Sequence, residues 1–552
     1  MGQPSGDAAQ PSPIVRPSKK QLEPEGGSPR ARDVPDAASA KAVRLLWCDT
    51  AGIRRCRIVP GRRYAAVQAG SGVCITTACM AMPAYGDSPA AGAGLSCVGE
   101  TRMLPVEGTR VGLPWAPGHQ MALVEFRAPR TEGPWDCCPR RALRNTLKML
   151  EDNFKLTLKV GFEVEFLLLE RVPSGPGAEG AGAGAAAGGT SGSGPGLYGT
   201  SWRPVDAGLY CQTSAVNKQA AVLDEMVEAL AAVGVEVLQW HAESAPGQYE
   251  FALRYYDALE SCDKLLLAKE AIMGVAQSRG LAVSFLPKPL RTAAGSGCHA
   301  HISLWRDGKS HMAQCSGGAA SSPAAWISSV AGSGAGASMS MPASGGSGSG
   351  KAAKVEGAGE PHGASQLRPT EEMLSFMAGM LSYLEVLLPF TSPCPSSYER
   401  LRPGTWAGSY SAWGWNNREA PIRLTAPGPS QLSDMHIEYK PLDGAANPHI
   451  ALAAVAVAGM LGLSFKLVPP EPCQVPPADL DKDAAARLGV RPLPASLDEA
   501  LAVLTNSRTG EGFKAAMTEA IGAPLLQAHL AVRLAEAEHA RQDLPGELLL
   551  RY

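Results

Sequence analysis

In the segment KVGFEVEFLLLE, Glu163 and Glu165 alternate with Phe162, Val164 and Phe166. In a strand, side chains at i and i+2 share a face, so the acids point one way and the apolar residues the other. The flanks are too apolar for a strand open to water, and two acids on one face of a buried strand need a cation. A second pair, Glu243 and Glu250 in HAESAPGQYE, flanks a turn marked by Pro246 and Gly247. The chain runs out and back there, so both acids can reach one place. In GSGCHAHISLW a loop with Gly295 and Gly297 feeds a strand that sets His299, His301 and Ser303 on one face. In MHIEYK, His436, Glu438 and Lys440 share a face in the same way. Five glutamates and one or two histidines thus converge from four segments. So many like charges fit one cavity only if two or three divalent cations neutralise them. Imidazole among carboxylates, without a zinc-type cysteine cluster, suits Mg²⁺ or Mn²⁺. Lys288, Arg400, Arg402, Arg418 and Arg423 form a cationic set beside them. Divalent ions with arginines suit phosphoryl transfer, although a plain salt bridge to a nearby acid would explain any single arginine equally well.

A sizeable fold must position these groups. The chain has 552 residues, 45% of them hydrophobic, enough for a large core. Lys plus Arg number 50 against 52 Asp plus Glu, for a net charge of −2, which argues against a generic nucleic-acid binder. With 61 Gly, 45 Pro and only 18% charged residues, the composition suggests folded sequence diluted by glycine-rich insertions. Two such stretches stand at about 173–199 and 316–362. Each interrupts a patterned region that then resumes, so they read as surface loops within one domain. Residues 1–40 lack periodicity and read as a disordered tail. From Ala42, VRLLWCD and IRRCRIVP around the turn TAG read as a hairpin opening a small N-terminal domain, 41–134, with LVEFRAP as its last strand. The remainder, 135–552, reads as a catalytic domain. It mixes helices at 140–153, 218–233, 258–278, 370–388 and 496–542 with an antiparallel sheet. The apolar run 450–463 is shorter than the roughly 20 residues that span a bilayer, and reads as a buried helix. MGQPSGDAAQ lacks the apolar core of a secretory signal, and the 13 scattered cysteines read as reduced thiols. A cytoplasmic protein without membrane or nucleic-acid partners is expected.

The blocks GFEVEF, HAESAPGQYE, KPLRTAAGSGCHAHISL, SSYERLRPG, NNREAPIRL and IEYKPLDGAANPHIALAA occur in that order. Together they resemble the glutamine synthetase family, type I branch, over roughly residues 42–465 less the two insertions. The resemblance implies an α+β subunit: a small N-terminal β-grasp domain and a catalytic α/β domain with a curved antiparallel sheet. It implies a homo-oligomer of stacked rings, dodecamer-like, with active sites between subunits. The implied reaction uses ATP to phosphorylate the γ-carboxylate of glutamate, after which ammonia or an amine attacks the acyl phosphate. By resemblance, Glu165, Glu243 and Glu250 hold one metal, and Glu163, His299 and Glu438 a second beside the ATP phosphates. His301 and Ser303 would contact the nucleotide and Tyr255 would pack on adenine. Gly295 and Arg400 would contact glutamate, and Arg418 and Arg423 the transferred phosphate.

The departures are specific. Ammonia-using members carry a glutamate where this chain has Trp406, two residues beyond Pro403-Gly404. The aspartate of an Asp-Gly-Ser-Ser block has no counterpart in GVCITTACM. Lys440 and His436 stand for arginines, and Ser433 for a nucleotide-contacting lysine. These changes resemble a glutamine-synthetase-like subgroup, some of whose members join glutamate to amines. All six metal positions are kept, which favours a working site over the alternative of a catalytically inactive scaffold. The type I blocks oppose a third reading, a phosphagen kinase. Trp406 is expected to stack an organic amine in preference to ammonium, the other reading being a packing residue on a loop.

Overall fold

The computed structural model describes residues 34–129, 131, 133–172, 200–315, 367–425, 434–541 and 548–552. Most of the expected tail, both glycine-rich insertions and Ser433 lie outside the described residues.

The expected hairpin is present: Ala42–Cys48 pairs antiparallel with Arg54–Pro60. Asp49 closes the turn by accepting from the N–H groups of Ala51 and Ile53. LVEFRAP falls in and just beyond His119–Arg127, which pairs parallel with the first strand. Among the described residues this sheet has six strands, ordered Arg54–Pro60, Ala42–Cys48, His119–Arg127, Glu100–Pro105 and Val73–Thr76, with Val111–Gly112 beside the third. Period-two alternation splits its faces. Val43, Leu45, Trp47, Ala122, Val124 and Phe126 pack with Tyr64 and Val67 of the helix Gly61–Ala69. Leu46, Cys48, Met121 and Leu123 join the main core instead.

The second sheet has eleven strands among the described residues and curls into a half-barrel. Its path runs Trp413–Trp415, Ile422–Thr425, His436–Tyr439, Ala300–Arg306, Thr157–Arg171, Gln248–Leu253 and Val237–Ala242. The strands that carry the site are antiparallel, as expected, but the terminal pair Trp413–Trp415 and Ile422–Thr425 is parallel. Apolar periodicity sets which face a residue takes and carries no direction of pairing.

Helices cover the apolar side. The run 450–463 lies in Pro448–Ser464, which Asn447 caps through the N–H groups of His449 and Ile450. It is buried on nearly every side, and its glycines let the helix Glu371–Ser382 approach closely. A Cβ on Gly462 would stand 2.1 Å from the Ser375 carbonyl, and one on Gly459 2.1 Å from the Phe376 ring. The single helix expected at 370–388 is instead two, Glu371–Ser382 and Leu384–Thr391, bent by 75°. The bend lies at Tyr383, with neither Gly nor Pro to mark it, and it turns the second segment onto the C-terminal helix Leu497–Asn506. The tail is helical in three pieces, Leu497–Asn506, Arg508–Ile521 and Ala523–Ala540. Ser507 caps the second, and Gly522, at φ +88°, separates the last two. No single described helix is long and apolar enough to cross a membrane.

Candidate active site

Strand register assembles the acids. Thr157–Arg171 carries Glu163 and Glu165, and Glu250 stands opposite Glu165. His241 stands opposite Glu250, and Glu438 faces His301 on one side and Arg423 on the other. Directly opposed residues have Cβ atoms about 4.5–5.5 Å apart, so each of these two rows becomes a polar cluster, the second meeting the long strand at Gly161. The glycine loop joins through backbone: Glu163 N–H donates to the His299 carbonyl at 3.0 Å and Glu165 N–H to that of Gly297 at 3.3 Å.

Two compact triads result, Glu163–His301–Glu438 and His241–Glu243–Glu250, each with ligand atoms within 4.8 Å of one another. His299 lies between groups, its Nδ1 3.2 Å from Glu163 and 3.4 Å from Glu438, and its Nε2 3.7 Å from Glu165. His301, expected at the nucleotide, stands 3.1 Å from Glu163. His241 was not expected at all, although HAE repeats the i, i+2 alternation that marked the other acids. Its Nε2 is 3.0 Å from Glu243.

The charges are unevenly compensated. Burial, reinforced by Glu163, Glu165, Glu243 and Glu438, pushes the Glu250 carboxyl up to about 10. Burial also raises Glu165. Burial would raise Glu438 too, but Lys440 at 3.1 Å, with His299 and His301, holds it well below the ordinary range. Arg423 Nε donates to the same carboxylate. Glu163 is likewise held low, its burial outweighed by His301 and His299. The Glu438 end therefore carries close cations, while at Glu165 burial outweighs His299 and Arg400, and Glu250 sits among four other glutamates. Hard oxygen donors with imidazoles fit Mg²⁺ or Mn²⁺, and the adjacent thiol, Cys298, is buried and pushed up to about 11.

Arg400 ends the short helix Pro395–Arg400 and is only 2% exposed. Its Nη2 donates to the His299 ring and to the Lys440 carbonyl, both at 3.0 Å. Its Nη1 is buried without a hydrogen-bond partner among the described residues, an open donor suited to a carboxylate. The glycines are sterically required. A Cβ on Gly295 would lie 2.7 Å from Arg400, and one on Gly297 would meet Arg400, His299 and Glu165 within 2.9 Å. Gln248, also not expected, donates its amide to Glu165 and to the Gly295 carbonyl, both at 2.9 Å.

The other expected residues sit further out. Tyr255 is exposed, its ring 6.4 Å from that of Trp305, whose indole N–H donates to Ser303 at 2.9 Å. Arg418 is exposed on the turn before Ile422–Thr425. Trp406 is 54% exposed, at φ +54°. The His436 ring lies 4.9 Å from that of His301. Lys288 is buried away from the acids, donating to the Ala293 carbonyl, and Arg402 is exposed.

Residues 136–342 and 352–547 match the family model of the glutamine synthetase catalytic domain. The chain belongs to the glutamine synthetase family. Glutamine synthetases of this kind are ATP-dependent ligases that join glutamate to ammonia or an amine, and they use divalent metals; this chain has that activity class. It is 32% identical to the gamma-glutamylpolyamine synthetase GlnA3 of Streptomyces coelicolor, over 90% of this chain and 89% of that one. It is 26% identical to type-1 glutamine synthetase 1 of Dictyostelium discoideum, over 87% and 82%. Among solved structures, a glutamine synthase homolog aligns with TM-score 0.65 at 23% identity, covering 93% of this chain and 97% of the other. GmaS in complex with ADP aligns with TM-score 0.64 at 21% identity, covering 92% and 95%. The glutamine synthetase α+β fold expected from the motifs is thus the fold of this chain.

Proposed function

We propose that the chain makes γ-glutamyl amides from an organic amine in preference to ammonium. The observation that carries this reading is Trp406. An indole at positive φ is costly for a bulky residue, and here it is held by local bonds. The Thr405 hydroxyl lies 2.8 Å from the Arg400 carbonyl and 2.6 Å from that of Arg402, and Gly404 and Gly408 take positive φ on either side. The loop is thereby tethered to Arg400 with an aromatic face open to solvent. The likeness to a gamma-glutamylpolyamine synthetase supports the same acceptor class.

In this reading Glu163, Glu165, Glu243, Glu250, His299 and Glu438, with His241 and His301 beside them, hold two or three Mg²⁺ or Mn²⁺ ions. When bound, these ions neutralise the acids and the ATP phosphates. Arg400 Nη1 and the backbone at Gly295 take the glutamate. Tyr255, His301 and Ser303 line the nucleotide side, with Trp305 extending the aromatic surface. Arg418 and Arg423 stabilise negative charge on the transferred phosphoryl group. Lys440 keeps Glu438 ionised. The protein works in the cytoplasm as stacked rings with shared active sites. The free thiols among the described cysteines support a reducing compartment. The outer strands Arg54–Pro60 and Val73–Thr76 of the N-terminal sheet, with Ile58 and Val98 exposed near them, support a contact with a second copy.

The test compares kcat/KM for ammonium and for a diamine such as 1,4-diaminobutane. Trp406→Ala is expected to lower the diamine value about 2- to 30-fold, the range of a cation–π contact. Trp406→Glu is expected to raise the ammonium-to-diamine ratio. If ammonium is the best acceptor of the unmodified enzyme, glutamine synthesis replaces this reading.

A further inference from the structure

Gln248 opens the strand Gln248–Leu253, between the turn that follows Glu243 and the acid Glu250. It is 1% exposed. Its backbone is fixed in the turn: the Gln248 N–H donates to the Ala245 carbonyl at 3.0 Å, and the Gln248 carbonyl accepts from the Glu243 N–H at 2.8 Å. Its side-chain oxygen accepts from the Ala245 N–H at 3.0 Å, so the amide nitrogen is the end that points away from the turn. That nitrogen lies 2.9 Å from Glu165 Oε2, 2.9 Å from the Gly295 carbonyl oxygen and 3.1 Å from the Ser296 hydroxyl. A single side chain thus touches the Glu243–Glu250 turn, Glu165 on the long strand and the glycine loop.

A primary amide has two N–H donors, and three oxygens lie within reach of this one. Ser296 is itself 1% exposed, and its backbone N–H donates to the Pro287 carbonyl at 2.8 Å, which keeps the loop beside the amide. The three oxygens therefore share two hydrogens, and the division depends on their charge. An ionised Glu165 carboxylate is the strongest acceptor of the three and draws one N–H to itself, because charge-assisted hydrogen bonds are roughly twice as strong as neutral ones. A divalent ion on that carboxylate withdraws charge from it. The amide then leans toward the Gly295 carbonyl and the Ser296 hydroxyl, and holds the loop more firmly.

We infer that Gln248 is a positioning residue that couples occupancy of the ion site at Glu165 to the hold of the Gly295 loop on glutamate. This role depends on Gly295 and Arg400 taking glutamate, as proposed above. A purely structural amide would lose stability on substitution but leave the effect of the ion on glutamate affinity unchanged. Coupling is reciprocal, so glutamate tightens the ion by the same factor that the ion tightens glutamate.

Titration calorimetry on the full chain gives the glutamate Kd without and with saturating Mg²⁺, and the Mg²⁺ Kd without and with glutamate. In the unmodified chain each ligand is expected to tighten the other about 10-fold or more. In Gln248→Met, whose side chain is of similar length and carries no donor, that factor is expected to fall below about 3. Ser296→Ala leaves two oxygens for two N–H groups and is expected to lower the factor about 2-fold or more. In steady state, Gln248→Met is expected to raise the glutamate KM about 5-fold with the ATP KM within about 2-fold. Arg400→Lys separates the two ideas. If it leaves glutamate affinity unchanged, glutamate binds elsewhere and the role of Gln248 falls with that site. If it weakens glutamate about 10-fold or more, while folded Gln248→Met and Ser296→Ala keep the factor of the unmodified chain, Gln248 does not couple the sites. A factor of about 1 in the unmodified chain overturns the coupling as well. Should Gln248→Met fail to fold, Ser296→Ala decides.

Discussion

Two acidic clusters are buried in this chain, and they are built on opposite terms. At the junction of three helices, Asp263 accepts from Arg140 at 2.7 Å and lies 3.0 Å from His449 Nε2. Arg140 also reaches Glu125 at 2.5 Å, and Arg144 pairs with the same glutamate. Burial alone would raise Asp263, but His449 and Arg140 outweigh it and hold its pKa below the ordinary value. In the curled sheet, burial and the neighbouring Glu163, Glu165, Glu243 and Glu438 push the Glu250 carboxyl up to about 10, with the His241 ring 4.0 Å away. Asp263 is compensated within the chain and so holds the fold together, whereas Glu250 is buried among like charges that a bound cation would relieve.

Ligand removal should break the comparison most visibly. Glu165→Ala and Glu438→Ala are each expected to cut turnover to below about one part in a thousand while the chain still folds. Phosphate release and circular dichroism measure the two. Wild-type turnover in either variant would remove those residues from the site. On the structural side, Asp263→Asn is expected to cost about 3–5 kcal/mol in urea denaturation, because it leaves Arg140 and His449 incompletely paired. The pH dependence follows from the sign of the shift. Asp263 contributes its stability above its ordinary pKa of 3.8 and loses it as pH falls through the lower folded value, so the variant should lack that acid-side loss.

Glu250→Gln sharpens the contrast because stability should move the other way. A carboxyl raised from 4.5 to about 10 makes the metal-free chain less stable as pH rises between those values. The amide should flatten that slope and raise the metal-free Tm by the equivalent of about 1 kcal/mol, while Mg²⁺ loses much of its protective effect. An unchanged slope would mean that the acids are already compensated. The smallest effect lies outside both clusters. Deleting residues 180–194 should change turnover and stability by no more than about 0.5 kcal/mol, since loop-closure entropy depends weakly on length. A large loss of folded protein would show that the segment packs.

Much of the site was legible because a strand writes its chemistry at period two. Glu163 and Glu165 announce themselves by alternating with Phe162, Val164 and Phe166, and Glu438 by alternating with Ile437 and Tyr439. His241 carried the same signal in Val237–Ala242, overshadowed by the glutamates beside it. Gln248 and Trp305 carry no pattern of their own. They matter through a bond to Gly295 and a ring beside Tyr255, contacts that only the folded chain creates. The bend at Tyr383 was illegible for a related reason. Both halves are apolar helix in sequence, and the break follows from what the second half packs against. The parallel pairing of Trp413–Trp415 with Ile422–Thr425 likewise depends on the path of the connection, about which side-chain pattern says nothing.

The cap of the buried helix sets a schedule for making the protein. The Asn447 side chain, besides capping that helix, donates its amide to the carbonyls of Cys48 and Asp49, in the first hairpin, at 3.1 and 2.9 Å. Arg533 donates to the carbonyl of Thr50 in the same turn at 3.1 Å. The hairpin is synthesised ahead of these partners, and its buried carbonyls wait for them for some 400 residues. At a synthesis rate of about 5–20 residues per second, that wait lasts roughly 20–80 s. Until then one face of the first sheet has no core to close on, so the nascent N-terminal sheet, rather than the finished enzyme, is the form most in need of a chaperone.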